Sequence, residues 1–282
     1  MNSELDHLRQ WIGKTESHAD VATAWPVAAL AATLDRRDPD PAAGDPIPPG
    51  WHWLYFLEST PASELGADGH PRRGGFLPPV PLPRRMWAGG RIEFMRPLRV
   101  GETLRRDSEI IAVEPKQGKG GNLVFVTVRH TIVASGDTAA VEEHDIVYLE
   151  AVRPGDPPPQ GRPAPTDPKW RREIVLDPVL LFRFSALTFN GHRIHYDLDY
   201  ARNEEHYPGL VVHGPLQTIL MLDLARREVS RPVKKLDYRA LHPVFHTERM
   251  TVNGAPGGDG SKAELWTANA AGTYAMTGTA YF

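Results

Sequence analysis

The chain has 282 residues, of which 41% are apolar and 24% charged, a composition typical of a soluble globular protein with one large domain or two of ordinary size. Its formal net charge of −3 gives no reason to expect nucleic acid or an anionic membrane surface as a partner. Because cysteine is absent, disulfides, thiolate nucleophiles and cysteine-ligated metal sites are excluded, which fits a reducing cytosol.

The start of the chain gives no sign of secretion. Residues 1–6 are polar and lack a basic segment followed by an apolar core, so no secretory signal is expected. No uncharged apolar run reaches the roughly 18 residues that a membrane helix needs. We therefore expect a cytoplasmic protein without a membrane partner.

Two helices are predicted near the N-terminus. Residues 4–11 have the spacing of a short amphipathic helix, and residues 20–34 form an alanine-rich helical pattern in which Pro26 marks either a kink or the first turn. Residues 36–50 hold five prolines and are predicted to be a loop. The dense apolar run over residues 51–57 is compatible with a strand or with a buried helix.

Residues 61–83 form a second, longer loop. A loop of this length in a compact domain is usually functional or disordered, and its aromatic and arginine residues argue against disorder. The pattern then changes to a period of two with β-branched side chains, which indicates antiparallel strands. The predicted strands are residues 91–95, 103–113, 123–135 and 142–150.

Residues 153–168 carry seven prolines and little apolar content, and are predicted to be a linker. Beyond them, Asp177 as N-cap and Pro178 at the first helical position begin a short helix, and residues 215–229 are apolar on most sides, as expected of a buried helix. The predicted strands that follow are residues 235–242, 246–252, 263–270 and 274–282.

A helix followed by four strands thus occurs on both sides of the linker. We interpret this as a duplication of architecture, with one repeat in residues 1–152 and another in residues 169–282. A long helix wrapped by a curled antiparallel sheet in each repeat makes the predicted fold class α+β.

The residues that carry chemistry are concentrated in the segment Phe184–Asp197. Its last eight residues contain an amide, two imidazoles, a guanidinium and a carboxylate around one glycine. The later segment Pro208–Pro215 leads an apolar stretch into a Gly-Pro helix start, whose N–H groups have no partner within the helix. Acid/base side chains beside a preformed oxyanion donor are the groups needed to add or remove a proton next to a carbonyl. The pattern predicts a hydratase or dehydratase site.

These two segments, together with Trp51–Phe56, Pro71–Pro78 and Pro83–Gly90, resemble the MaoC-like acyl-thioester hydratases and dehydratases of double hot-dog fold. The similarity is greatest to the branch that acts on C4-dicarboxylic enoyl-CoA esters such as mesaconyl-C4-CoA (3-methylfumaryl-CoA) and on 3-hydroxyacyl thioesters. It implies an acyl-CoA substrate, no separate cofactor and a homodimer or higher homo-oligomer. It also implies a catalytic C-terminal repeat and a non-catalytic, substrate-shaping N-terminal repeat, whose histidines His7, His18, His52 and His70 are scattered.

The motif of that family, Gly-Asp-x-Asn-Pro-aliphatic-His, aligns on His195 and implies that this histidine is catalytic. The position of the motif's aspartate is Asn190, that of its asparagine is His192, and that of its proline is Arg193. An amide holds a water but cannot take a proton from it. Either His195 transfers the proton alone, which we favour, or a nearby carboxylate such as Asp197 substitutes.

The resemblance makes the backbone N–H of Gly214 the oxyanion donor, with His192 and His213 lining the substrate site. Five arginines are candidates to bind the anionic substrate by charged hydrogen bonds. They are Arg193 in the acyl pocket and the loop pairs Arg72-Arg73 and Arg84-Arg85. The competing interpretation turns Arg193 outward to pair with a nearby aspartate and leaves the loop arginines in solvent. A metal site at the two histidines of the motif is not expected.

The predicted reaction is reversible addition of water across the C2=C3 bond of an enoyl-CoA, with mesaconyl-C4-CoA giving citramalyl-CoA. The alternatives are a linear 3-hydroxyacyl-thioester dehydratase, an itaconyl-CoA hydratase, a hot-dog thioesterase and a non-catalytic acyl-CoA-binding module. A cationic group in the acyl pocket favours the dicarboxylate, because an alkyl chain beside that charge would be costly. A thioesterase needs a carboxylate near the start of the helix, and residues 214–222 contain none.

Overall fold

The computed structural model describes residues 3–118, 121–151 and 161–282. They form one large antiparallel sheet with few helices, which confirms the α+β class. The strands are β1 (Thr15–Val21), β2 (Arg84–Phe94), β3 (Thr103–Gly118), β4 (Gly121–Ala134), β5 (Asp137–Leu149), β6 (Trp170–Val175), β7 (Lys235–Ala240), β8 (Arg249–Pro256), β9 (Lys262–Ala268) and β10 (Tyr274–Tyr281). The helices are α1 (Ala24–Thr33), α2 (Pro178–Leu187), α3 (Leu198–Asn203) and α4 (Gly214–Glu228), with 3₁₀ helices at Ser3–Trp11, Trp51–Leu54, Ala62–Glu64 and Arg193–His195.

The strand order repeats on either side of the middle of the sheet. From edge to edge it is β1-β3-β4-β5-β2-β7-β10-β9-β8-β6, so each half contributes five strands in the same order from edge to centre. Antiparallel pairing of β2 with β7, from Gly89 opposite Arg239 to Glu93 opposite Lys235, joins the two halves. Half of the predicted linker, residues 153–160, lies outside the described residues.

Helix α4 is the centre of the core in the C-terminal half. All residues from Leu216 to Ala225 are buried, as the apolar pattern predicted. Its one buried carboxylate, Asp223, is 1% exposed and is paired with four arginines. These are Arg36, Arg172, Arg226 and Arg227. Pairing of this kind is what allows a charge to remain buried.

The N-terminal half has no counterpart of α4. The interval between α1 and β2, residues 34–83, contains only the two short 3₁₀ helices at Trp51–Leu54 and Ala62–Glu64. The prediction of a long helix in each repeat is therefore wrong for this half, because the prolines and glycines of these loops interrupt helical hydrogen bonding. The inner face of the N-terminal sheet borders a cavity instead, with Val128 and Ile132 of β4 in its wall.

Three predicted boundaries also need correction. The helix predicted over residues 20–34 begins at Ala24, with Pro26 in its first turn, because residues 15–21 pair with β3 as strand β1. Strands β1 and β6 were missed because edge strands with two mostly solvated faces carry no alternation of apolar residues. The run over residues 51–57 is neither a strand nor a long helix but a single 3₁₀ turn. No helix in the described part of the chain is long and apolar enough to span a membrane.

Candidate active site

A cavity of about 1930 Å³ is lined by residues from both halves of the sheet. Its wall contains Asn190, His195 and Gly214, the three residues predicted to be catalytic, and also His192. Across the cavity it contains residues of the loop before β2 and of strands β4 and β5. The two halves therefore share one candidate site.

His195 is positioned by the segment that follows α2. Phe189, with φ of +49°, reverses the chain after this helix, and the 3₁₀ turn Arg193–His195 brings the imidazole into the cavity wall. Its Nδ1 lies 2.7 Å from the carbonyl oxygen of Val211, which can only accept, so Nδ1 carries the proton and Nε2 has a free lone pair. Burial lowers the pKa of His195 to about 4, so the ring is neutral near pH 7. It is suited to take a proton from water.

Asn190 holds the turn that precedes His195. Its side-chain Oδ1 accepts a hydrogen bond from the backbone N–H of His192 at 3.0 Å, and its backbone N–H donates to the carbonyl of Ser185 at 2.8 Å. His192 is buried beside it, and burial lowers the pKa of this imidazole to about 2. Asn190 thus fixes the backbone of the segment and borders the cavity, and its role in holding a water stays a prediction.

Gly214 begins α4 at the cavity wall. Its N–H has no hydrogen-bond acceptor among the described residues, as expected for the first residue of a helix. A Cβ at this position would lie 2.3 Å from Cε3 of Trp87, so only glycine fits against this ring. The indole is itself held edge-on by Trp53 at 5.5 Å and packs against Tyr238 at 4.9 Å. The N–H is therefore preorganised, which is the requirement for an oxyanion donor.

The position of His213 corrects the prediction that it binds substrate. It is fully buried and is not part of the cavity wall. Its ring stacks on His195 with centroids 3.6 Å apart, and its Nε2 lies 2.8 Å from Oγ of Ser185. Burial lowers the pKa of His213 well below its usual value, so it acts as a neutral support for the His195 ring.

Two of the five candidate arginines lie outside the cavity wall. The guanidinium of Arg193 forms an ion pair with Asp197 at 2.7 Å and donates to the carbonyl of Ala67, so the prediction that it enters the acyl pocket is wrong. The backbone N–H of Asp197 donates to the carbonyl of Arg193 at 2.8 Å, and this turn brings the two charged side chains together. Arg84 similarly pairs with Glu205 at 3.2 Å.

The other three candidate arginines border the cavity. Arg73 is committed to the carbonyl oxygens of its own loop, including that of Val80 at 2.7 Å, and Arg72 donates to the carbonyl of Leu65. Arg85 borders the cavity without a carboxylate partner among the described residues. Beside it is Tyr148, which is fully buried and whose hydroxyl has no hydrogen-bond partner in the described part of the chain.

Sequence reasoning missed His70 as a site residue. Its ring lies 4.2 Å from that of His192, centroid to centroid, and its Nδ1 lies 3.0 Å from a carboxylate oxygen of Asp68. Asp68, His70 and His192 place ligand-type atoms within 4.8 Å of one another, so the expected absence of a metal stays a prediction. The available signal was the joint occurrence of histidine, arginine and glycine in a long loop.

A second buried polar cluster was also missed. Glu142, 2% exposed, accepts hydrogen bonds from Nε2 of His52 at 3.0 Å, from the indole of Trp53 and from the hydroxyl of Tyr238. Burial alone would raise the pKa of Glu142, but the hydrogen bond from His52 and the neighbouring imidazoles lower it to about 2. The cluster holds two of the rings that pack against Trp87, and so it supports Gly214 from the N-terminal half.

Comparison with known proteins identifies the family. The model of the family described as hydroxyacyl-thioester dehydratase type 2, Htd2, matches residues 50–246. The chain belongs to the Htd2 family. It is 48% identical over 252 residues to mesaconyl-C(4)-CoA hydratase of Chloroflexus aurantiacus, covering 88% of this chain and 89% of that one. It is 28% identical over 264 residues to the mitochondrial hydroxyacyl-thioester dehydratase type 2 of Schizosaccharomyces pombe, covering 83% and 87% of the two chains.

A solved structure from Mycobacterium tuberculosis, described as a double hotdog fold, superposes with a TM-score of 0.60 at 14% identity, covering 95% of each chain. The predicted double hot-dog fold is thereby confirmed. Membership of the Htd2 family confirms an enzyme of the hydratase and dehydratase type. The match to the Htd2 model, residues 50–246, includes the loop before β2 as well as α4, so it covers both walls of the cavity.

Proposed function

We propose that this Htd2-family enzyme adds water reversibly to the C2=C3 bond of mesaconyl-C4-CoA to give citramalyl-CoA. The 48% identity to a hydratase named for this ester supports the substrate. The reaction is supported by two groups that border the same cavity: the neutral imidazole of His195, and the N–H of Gly214, which has no acceptor among the described residues.

The chemistry follows from the positions of these two groups. A hydrogen bond from Gly214 N–H to the thioester oxygen withdraws electrons and makes C3 electrophilic. His195 accepts a proton at Nε2 from a water, whose oxygen bonds to C3. The negative charge that develops on the thioester oxygen lies at the positive N-terminal end of α4. A proton then adds to C2 and the thioester carbonyl re-forms, which completes the addition. Elimination of water from the hydroxyacyl thioester follows the same steps in reverse.

The observation that carries the choice of a dicarboxylic substrate is Arg85. It borders the cavity and is paired with Tyr148 across β2 and β5, so the hydroxyl of this buried tyrosine lies near the guanidinium. An arginine and a hydroxyl donor together match the acceptor geometry of a carboxylate. In mesaconyl-C4-CoA the free carboxylate is attached to C3, the carbon that receives the water. Arg85 and His195 line the same cavity, which is compatible with a carboxylate attached to the reacting carbon.

A comparison of substrates tests this assignment. Arg85→Met should lower kcat/KM on mesaconyl-C4-CoA by roughly 2–3 kcal/mol, the scale of a lost charged hydrogen bond. The same variant should leave kcat/KM on crotonyl-CoA nearly unchanged, because crotonyl-CoA has a methyl group at C3 and no carboxylate. Both rates follow from the loss of absorbance of the conjugated thioester.

Arg84→Met is the matched control, because this neighbouring arginine is paired with Glu205 outside the cavity wall. It should leave the ratio of the two kcat/KM values as in the wild type. Equal losses on both esters in Arg85→Met would contradict the carboxylate role. A wild-type enzyme that prefers long linear enoyl esters to mesaconyl-C4-CoA would favour a fatty acyl thioester dehydratase instead.

The cytoplasmic location and the homo-oligomeric state are also proposals. Trp25 of α1 and Phe182 of α2 are 71% and 64% exposed on two helices that pack against each other, which supports a contact with a second copy of the chain. Analytical ultracentrifugation of the wild type and of Trp25→Ser tests this contact. A wild-type monomer would contradict it.

A further inference from the structure

Hydration of an enoyl thioester needs two proton transfers. One proton leaves the water that adds to C3, and one proton arrives at C2. His195 is placed for one of these transfers, and the amide of Asn190 can serve as neither acid nor base. Asp197 is committed to Arg193 and does not border the cavity. With Asn190 and Asp197 set aside, His195 is the group assigned to the first transfer, and the proton that arrives at C2 still needs a donor.

The N-terminal half brings a further acid/base group to the same wall. Leu65 and Pro71 pair with each other as an isolated β-bridge and close a short loop. This loop packs against the segment that carries His195. The backbone N–H of Arg193 donates to the carbonyl of Asp68 at 2.9 Å, and a Cβ on Gly69 would lie 1.9 Å from the carbonyl oxygen of Gly191. This contact is possible only for glycine, which also has φ of +85° here. The loop and the catalytic segment are thus fixed relative to each other.

Within this loop, Asp68 orients His70. One carboxylate oxygen of Asp68 accepts from the backbone N–H of His70 and the other lies 3.0 Å from its Nδ1. A carboxylate accepts only, so Nδ1 carries a proton and Nε2 is the nitrogen left for other partners. His70 borders the cavity and packs against His192, whose ring is in turn 5.4 Å from that of His195.

We propose that His70, oriented by Asp68, is the second proton-transfer group of this site. The inference rests on the proposed hydratase function. In the hydration direction the water gives a proton to Nε2 of His195, its oxygen bonds to C3, and the C2=C3 electron pair moves through C1 onto the thioester oxygen. Protonated His70 then gives the proton on Nε2 to C2, and the carbonyl re-forms. His195 returns its extra proton to solvent and His70 takes one up, which completes the cycle.

The charges around His70 support this role when substrate is bound. The charged and titratable groups around it are Asp68, Arg73, Arg85, His192 and His195. Burial lowers the pKa of His70, as do the two arginines, whereas hydrogen bonding to Asp68 favours the imidazolium. A substrate carboxylate paired with Arg85 would offset the positive charge of that arginine. Binding of the dicarboxylate therefore favours the protonated imidazole that the step to C2 needs.

The test is hydration of mesaconyl-C4-CoA in D₂O, with the label at C2 of citramalyl-CoA read by NMR. Wild-type enzyme should place deuterium on one face of C2. His70→Ala should lower kcat by roughly 10²–10⁴-fold, and the residual product should carry deuterium on both faces, because solvent then protonates the enolate. Asp68→Asn, which perturbs the orientation but keeps the imidazole, should lower kcat at least tenfold and still label one face. Added imidazole should partly restore the rate of His70→Ala.

His206→Asn is the control, because His206 is exposed and has φ of +58°, which asparagine tolerates. It should keep the wild-type rate and label.

If His70→Ala does not fold, His70→Gln keeps the polar contact and serves in its place. A His70 variant with kcat within about threefold of wild type and label on one face overturns the inference, and so does activity that is lost on chelation and restored by a divalent metal. If the wild type hydrates neither mesaconyl-C4-CoA nor crotonyl-CoA, the proposed function fails as well.

Discussion

His195 is suited to its role by the different partners of its two ring nitrogens. The carbonyl of Val211 fixes the proton on Nδ1, and the stacked ring of His213 fixes the plane of the imidazole. A base is effective when its lone pair is directed at the proton it takes and when it is unprotonated at working pH. Burial meets the second condition by lowering the pKa of His195 to about 4.

Replacement of this histidine is the direct test at the residue scale. His195→Ala should lower kcat by roughly 10²–10⁴-fold, the usual contribution of a general acid or base. The KM for the enoyl-CoA should change little if the imidazole acts in the transition state rather than in ground-state binding. Steady-state kinetics with circular dichroism as a check of folding measure both effects. A variant that keeps kcat within tenfold of wild type would show that another group takes the proton from water.

Asn190, His195 and Gly214 were predicted as candidates from two nearby segments of the sequence, and all three border the cavity. Their catalytic roles stay predictions. The partners of the arginines were not predictable from the motif. Arg193 and Arg85 are equally basic in the sequence, and only the fold determines that the first pairs with Asp197 while the second borders the cavity. Which nitrogen of a histidine is free also depends on residues distant in sequence.

At the scale of elements, α4 and its N-terminus depend on packing from the other half. Trp87 of β2 lies against Gly214, and Glu142 of β5 holds Trp53 and Tyr238, which flank that indole. The direction of the Gly214 N–H is thus set by four aromatic and acidic side chains that do not belong to its own helix.

Gly214→Ala should therefore lower both activity and stability. The new methyl group would overlap the Trp87 ring, whose neighbours leave it no free space, so the start of α4 must shift. Overpacking of this kind costs about 1–3 kcal/mol of unfolding free energy. Urea unfolding and kcat measure the two effects. A second substitution, Trp87→Leu, should recover stability in the double variant, and failure to recover any would show that the ring is not the obstacle.

Helices and strands were predicted correctly where one face of the element, or the whole element, is buried. Helix α4 is buried on every side and strands β3 to β5 have β-branched runs, so their patterns were clear. The edge strands β1 and β6 gave no such pattern. The docking of the loop Leu65–Pro71 on the segment around Gly191 was not predictable either, because it depends on a backbone contact between residues more than a hundred positions apart.

At the scale of the whole molecule, buried histidines should make the fold sensitive to acid. Burial lowers the pKa values of His130 to about 3 and of His195 to about 4, against 6.5 as the ordinary value. His144, His192 and His213 are shifted in the same direction. Between these values and pH 6.5 the unfolded chain binds protons that the folded chain does not, so the free energy of unfolding falls as pH falls.

The free energy of unfolding should fall by several kcal/mol between pH 7 and pH 5, since each such histidine contributes up to about 1.4 kcal/mol per pH unit below its unfolded pKa. Urea unfolding at constant ionic strength, followed by tryptophan fluorescence, measures it. His130→Gln should reduce the slope of the free energy of unfolding against pH by up to the contribution of one bound proton. A free energy of unfolding that is constant over this range would show that these imidazoles are protonated in the folded protein.

The β2–β7 pairing has a consequence for symmetry. Two identical chains associated in this way would carry either two central helices or none, because every residue of a symmetric pair occurs twice. Joining the two copies in one polypeptide removes that constraint. One copy keeps the helix whose N-terminus we propose as the oxyanion donor, while the other borders a cavity and contributes a loop in its place. Covalent linkage has thus allowed two related units to specialise as complementary walls of a single compartment.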